Sequence, residues 1–330
     1  MTNLASIDVH IHLAGTGCCD SGAWLSPKLR QRYTIKLLQF VHNISNKMME
    51  EDFDCEWIDL ISNRLNSSKK IDYGVVLGFD GAYDFNSGEI DYKHSQLIVP
   101  SAWVFDVCRK NAKLLPGPSV NPFRKDALKE LEYCIEHKAV LIKWLPSAQM
   151  IDPANLKIKE FLEKLKNANI PLLIHIGGER TFYSYFPQYN DAERIKFALD
   201  LGVTIICAHS GTSVLLSKEE DQVPEIEKLL ATYPHLWVDN SGLCNPSRFH
   251  QLQRLVDSPL IQSRTLYGSD FPVPSNAYYF FKKFGFKKTL QIEAIKNSFD
   301  RDVAIKDEFG FDPLSLTRAH QVLANLDYWL

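Results

Sequence analysis

The chain has 330 residues, is 45% hydrophobic and 23% charged, and carries a formal net charge of −3 at neutral pH. That is the composition of a globular protein able to bury a large core, and it excludes the disordered and fibrous classes. Scattered Lys and Arg give no basic field for nucleic acid, and no apolar run approaches the roughly 18 residues of a membrane span. The expected partner is therefore a small molecule, not nucleic acid or a membrane, with a homodimer compatible. The chain enters a strand within about six residues, leaving no room for a signal peptide, so a cytoplasmic location is expected. Seven cysteines without regular spacing argue against a disulfide scaffold in a chain of this size, and the adjacent Cys18 and Cys19 read as loop or packing thiols.

The first predicted strand lies in "SIDVHIHLAG". Regular alternation would put Asp8, His10 and His12 on one face and Ile7, Val9 and Ile11 on the other. From about Leu25 to Asn66 a polar, helix-prone stretch is too long for a simple connection and reads as an insertion, bounded at about residues 20–70. Seven further short apolar runs follow: "IDYGVVLGF", "KLLPGPSVNP", "AVLIKWLP", "IPLLIHIGG", "VTIICAHSG", "HLWVDNSG" and "SRTLYGSDFP". Each is rich in apolar residues and ends in turn formers, as buried strands do. Helical spacing separates them, in "RKDALKELEYCIEH", "NLKIKEFLEKLKNAN", "DAERIKFALDLG" and "VPEIEKLLATYP". Eight alternations of strand and helix imply parallel strands with crossover helices, in an open doubly wound sheet or a closed barrel. A barrel of typically ~250 residues leaves space for the insertion and a helical C-terminal tail from about Asn276. One domain over residues 1–330 is the simplest count.

Polar residues fall at the carboxyl ends of these strands. Lys143 is late in strand four, His175 late in strand five, His209 at the end of strand six and Asp270 at the end of strand eight. In a parallel barrel that rim is where side chains from several strands converge, whereas an open sheet would hold strands one and eight apart, so convergence favours an α/β (β/α)8 TIM barrel. Each residue alone has an ordinary structural use, such as a histidine satisfied by a carbonyl or an aspartate in a turn. Four histidines and a carboxylate at strand ends, taken together, read as a catalytic metal site. Zinc suits these donors, and iron, manganese or cobalt would as well. A divalent ion lowers the pKa of a bound water to ~7 and polarises a carbonyl.

The motifs "DVHIH", "IHIGG", "AHSG" and "GSDFP" resemble the amidohydrolase superfamily, in particular its aminocarboxymuconate-semialdehyde decarboxylase-like branch. The resemblance implies that His10, His12, His175 and Asp270 bind one divalent metal, usually zinc. It further implies that His209 acts beside the activated water and that Asp270 shuttles a proton. Lys143 stands near the position where other superfamily members carry a carboxylated lysine bridging two metals, which leaves the metal count open. The function expected first is a metal-dependent hydrolase acting with a metal-bound hydroxide on a C–N or C–O bond of a small, anionic substrate. The alternatives are a metal-dependent non-oxidative decarboxylase of a small carboxylic acid and a catalytically inactive binding barrel. Lys143 and Arg180 are the expected substrate contacts, with Arg248 weaker, and the loop carrying Trp24 is placed to cover the mouth.

Overall fold

In the computed structural model, which describes residues 4–216 and 219–330, eight parallel strands form a barrel. They are β1 (Ile7–His12), β2 (Tyr73–Leu77), β3 (Leu114–Gly117), β4 (Ile142–Trp144), β5 (Leu172–His175), β6 (Ile205–Ala208), β7 (Leu236–Asp239) and β8 (Thr265–Leu266). Strands β1 to β3 pair as one ladder and β4 to β8 as another. Pro116 and Pro118 have no N–H to give, so at the β3–β4 seam their carbonyls accept from Val140 (2.9 Å) and Lys143 (2.8 Å). The other seam closes where the Val9 amide donates to Tyr267 O (2.9 Å) and the His12 amide to Phe271 O (2.8 Å). Closure brings β1 and β8 together at the same rim.

Strand β1 departs from regular alternation. Its register against β2 shifts between Asp8 and Ile11, so Ile7 pairs with Tyr73 and Asp8 with Gly74, but Ile11 pairs with Val76. One extra residue reverses the phase of the pleat. Ile7 and Val9 consequently pack in the barrel interior with Val75, Leu115, Leu141, Leu173, Ile206 and Leu266, while Ile11 packs outside with Trp57, Leu65 and Phe299. Asp8 accepts from the amides of His10 (2.9 Å) and Ser269 (3.0 Å) and does not share a face with the two histidines. The expected three-residue polar face is thus corrected: the bulge turns His10 to the interior side and leaves Asp8 behind.

The predicted insertion also divides differently. Helix Phe53–Ser67 buries Phe53, Trp57, Ile61 and Leu65, one every four residues, and so forms the crossover between β1 and β2. The segment ahead of it carries short helices Pro27–Arg30, Tyr33–Val41 and Met48–Glu51, and Trp24–Leu25 pairs antiparallel with Leu97–Ile98. The reading of Cys19 as a loop or packing thiol is overturned, because Cys19 and Cys55 form a disulfide that ties the loop after β1 to the crossover helix. Cys18 remains free.

After β8 the chain runs through helices Phe281–Glu293 and Ser298–Phe309. Ala319, Val322, Leu323 and Leu326 then pack beneath the interior residues of the strands and close the lower end. Among the described residues no helix is long and apolar enough to cross a membrane.

Candidate metal centre

Five of the predicted site residues gather at the upper rim. His10 and His12 come from β1, His175 ends β5, His209 follows β6, and Asp270 lies four residues past β8 on the Gly268–Pro272 turn. His209 and Asp270 both have positive φ, 55° and 67°. Such strain is concentrated at functional sites, where the surroundings hold it in place.

Asp270 stands between the β1 histidines, with one carboxylate oxygen 3.0 Å from His12 Nε2 and 3.6 Å from His10 Nε2. His10, His209 and Asp270 offer ligand atoms that all lie within 4.8 Å of one another. The His10 ring is 5.0 Å from those of His12 and His209, and the His175 ring 4.9 Å from that of His209. His175 Nε2 is 3.1 Å from Gly178 O and 3.6 Å from a Glu179 oxygen. The four imidazoles and the carboxylate therefore share one small volume.

The state of His10 follows from its partners. Its Nδ1 lies 2.8 Å from Asp239 Oδ2, which makes Nδ1 the protonated nitrogen and leaves the Nε2 lone pair toward the centre. That Nε2 is fully buried and has no hydrogen-bond partner. Burial, reinforced by the Lys143 charge, holds the His10 pKa well below the ordinary histidine range. Burial likewise depresses His175 and His209, with Arg248 the next cause for both. An inward, unpartnered His10 Nε2 with three further imidazoles and a carboxylate around it is the kind of donor set a divalent transition metal takes, so the residues present fit such an ion.

Asp239 escaped the sequence reading. At the end of β7 its carboxylate holds His10 Nδ1 and also accepts from the His209 amide (2.7 Å) and the Ser241 amide (3.0 Å). Ser241 in turn contacts His209 Nδ1 through its carbonyl (3.0 Å) and hydroxyl (2.8 Å), which directs His209 Nε2 inward. The signal was present in "HLWVDNSG": an aspartate at the same strand end as the other rim residues.

The predicted substrate contacts are placed as follows. Lys143 is buried inside the barrel; its Nζ has no hydrogen-bond partner, and burial lowers its pKa to about 8 against the pull of Asp239, Asp270 and Glu179. Arg180 lines the cavity above the site, yet its guanidinium donates to Leu215 O (2.6 Å). Arg248 is nearly fully buried and donates to the carbonyls of Gly178 and Thr212, clamping the β5 and β6 loops together. Glu179, also missed, lines the cavity with a carboxyl that burial raises above its usual range.

That cavity has a volume of about 170 Å³ and opens over His12, His175, His209 and Asp270. Leu25, Leu29, Leu38, Phe53 and Trp57 form its opposite wall. His42 Nε2, 2.8 Å from Pro272 O, and Trp57 Nε1, donating to His12 O at 3.2 Å, fasten that wall to the rim.

The protein-family model described as amidohydrolase matches residues 7–293, the span from β1 into the helices after β8. Among solved structures, the chain is similar to an uncharacterized TIM-barrel protein from Bordetella bronchiseptica at 16% identity and TM-score 0.58, covering 92% of this chain and all of that one. A probable 2-pyrone-4,6-dicarboxylic acid hydrolase from Acinetobacter baumannii, with citric acid bound, shares 13% identity at TM-score 0.53 over 98% of each chain. An amidohydrolase from Burkholderia multivorans with bound HEPES shares 11% identity at TM-score 0.52, over 81% of this chain and 85% of that one. These likenesses show the TIM-barrel fold. No curated protein matches the chain.

Proposed function

Because the chain belongs to the amidohydrolase family and is an enzyme of it, we propose that it is a metal-dependent hydrolase cleaving a C–N or C–O bond of a small substrate. On "DVHIH", "IHIGG", "AHSG" and "GSDFP" it is assigned to the aminocarboxymuconate-semialdehyde decarboxylase-like branch. The observation that carries the reading is His10: one nitrogen committed to Asp239, the other buried, unpartnered and facing Asp270.

His10, His12, His175 and Asp270 would hold one divalent ion, zinc by preference. Such an ion supplies a more acidic water and a Lewis acid for a substrate carbonyl. Asp270, a few ångströms from both β1 histidines, is placed to accept the proton that water gives up and to pass it on. His209, oriented through Ser241, presents Nε2 to the reacting group as hydrogen-bond donor or acceptor. Asp239 fixes two of the histidines, and Arg248 keeps the β5 and β6 loops at the spacing His175 and His209 require. Lys143 remains a free amine near Asp270 and Asp239 and is not a bridging ligand.

A second reading, a non-oxidative decarboxylase of a small carboxylic acid, draws support from two buried cations behind the site, Lys143 and Arg248. Arg248 lines the cavity, where a guanidinium would stabilise a substrate carboxylate, while Lys143 is not part of that lining and would act only through its charge. The test is a substrate panel on the metal-loaded protein, following hydrolytic product and carbon dioxide in parallel. Hydrolysis abolished by a chelator and restored by zinc is the expected result. Carbon dioxide release without hydrolysis would replace the first reading with the second.

A further inference from the structure

The segment between β1 and the crossover helix is rich in charge, with Lys28, Arg30, Arg32, Lys36, Lys47, Glu50, Glu51 and Asp52 in its helical part. None of these side chains lines the cavity. What the segment and the start of the crossover helix turn toward the site is Leu25, Leu29, Ile35, Leu38, Phe53 and Trp57, with Gln39 as the polar member of that wall. Gln39 is 7% exposed, and its Oε1 has no hydrogen-bond partner. The polar groups are confined to the rest of the lining, where the histidines, Asp270, Glu179, Arg180 and Arg248 stand among apolar residues such as Leu145, Phe182 and Val214.

Sorting charge so completely out of one wall, in a segment with so much of it, has a chemical meaning. A charged or multiply hydroxylated group placed against that wall would lose its water without a compensating partner, whereas hydrocarbon gains from leaving water. Resting on the metal-centre reading above, we infer that the substrate is amphiphilic. Its reacting carbonyl or carboxyl end meets the histidine wall, and its other end is an uncharged alkyl or ring group seated on Leu29, Ile35, Leu38, Phe53 and Trp57. Gln39 accommodates at most one neutral polar substituent on that group. The substrate class is thus a hydrocarbon-bearing acyl compound, and a dicarboxylate with a charge at each end is excluded.

The probes are acetohydroxamate, butyrohydroxamate, hexanohydroxamate and succinyl monohydroxamate, which share one metal-chelating head and differ in the tail. Titrated calorimetrically into the zinc-loaded protein, affinity is expected to rise about threefold per methylene from acetyl to hexanoyl. The succinyl compound is expected to bind at least tenfold more weakly than hexanoyl. Leu38→Asp, at a half-buried position on the cavity side, should flatten the series, bringing hexanohydroxamate affinity down toward that of acetohydroxamate in the same variant. A flat series in the unaltered protein, or succinyl binding more tightly than hexanoyl, would overturn the inference. Metal-free protein titrated with 1-hexanol and 1-octanol reads the wall without the metal. Alkanol binding that Leu38→Asp removes, found together with failure of every hydroxamate, supports the wall and indicts the metal centre alone. No alkanol binding overturns the wall whatever the metal does.

Discussion

The His10–Asp239 contact decides which nitrogen His10 can offer, so its loss should be felt at the metal. Partners of this kind typically change metal affinity 10–100-fold, and Asp239→Asn should weaken zinc binding by about that factor in competition with a chelating dye. Unchanged affinity would remove Asp239 from the account. His209→Ala should keep its zinc and lose ~10²–10⁴-fold in turnover, the usual contribution of a general acid or base. Metal loss equal to that of His175→Ala would instead make His209 a ligand, as its place within 4.8 Å of the His10 and Asp270 ligand atoms allows. Lys143 gives a pH prediction. Burial lowers it from 10.5 to about 8, so below pH 8 the folded state carries a costly buried charge. Between pH 8 and 10.5 the folded chain sheds that proton while the unfolded chain keeps it. The stability of the metal-free protein should therefore rise with pH across that window relative to Lys143→Met, by about 3 kcal/mol in total. Urea unfolding of the two proteins at several pH values measures it, and parallel curves would show Lys143 unperturbed. The histidines and Asp270 were legible as polar residues ending apolar runs. Asp239 was not, because Asp-Asn-Ser-Gly after a strand has the composition of a turn and its partner is 229 residues away.

At the level of elements, all eight strands were visible as short apolar runs, because strands covered by helices outside and side chains inside leave no polar face. The β1 bulge was not visible. Register is set by the partner strand and not by the strand's own residues, and one shifted residue moves His10 across the sheet. The boundary of the insertion was hidden for a related reason: the buried Trp57, Ile61 and Leu65 are interleaved with Glu56, Asp59 and Arg64, which mimic the polar stretch before them. The β7 loop supplies an element-scale prediction. Gly242 has φ +69°, and a Cβ there would lie 2.7 Å from Asp270 Oδ2. Gly242→Ala combines about 1–2 kcal/mol of left-handed strain with a displaced Asp270. It should lower both the unfolding midpoint and zinc affinity. An alanine variant with full affinity would mean that this loop does not set the carboxylate.

For the whole molecule, closure is what makes the centre possible. β8 begins at Thr265, 253 positions after β1 ends at His12, yet the Asp270 amide donates to His10 O at 3.0 Å, so barrel closure and carboxylate placement are the same event. The lower half of the interior is hydrocarbon, capped by Ala319, Val322, Leu323 and Leu326, and does not depend on the rim residues. Removing a rim side chain should therefore spare the fold, so metal content can be read in a folded variant. Elemental analysis of the purified chain and of Asp270→Ala, with circular dichroism as the check on folding, is that measurement. The unaltered protein should hold one divalent ion per chain, and a folded Asp270→Ala should have lost it. Two ions per chain, or a full ion retained without Asp270, would contradict a one-metal centre held by Asp270.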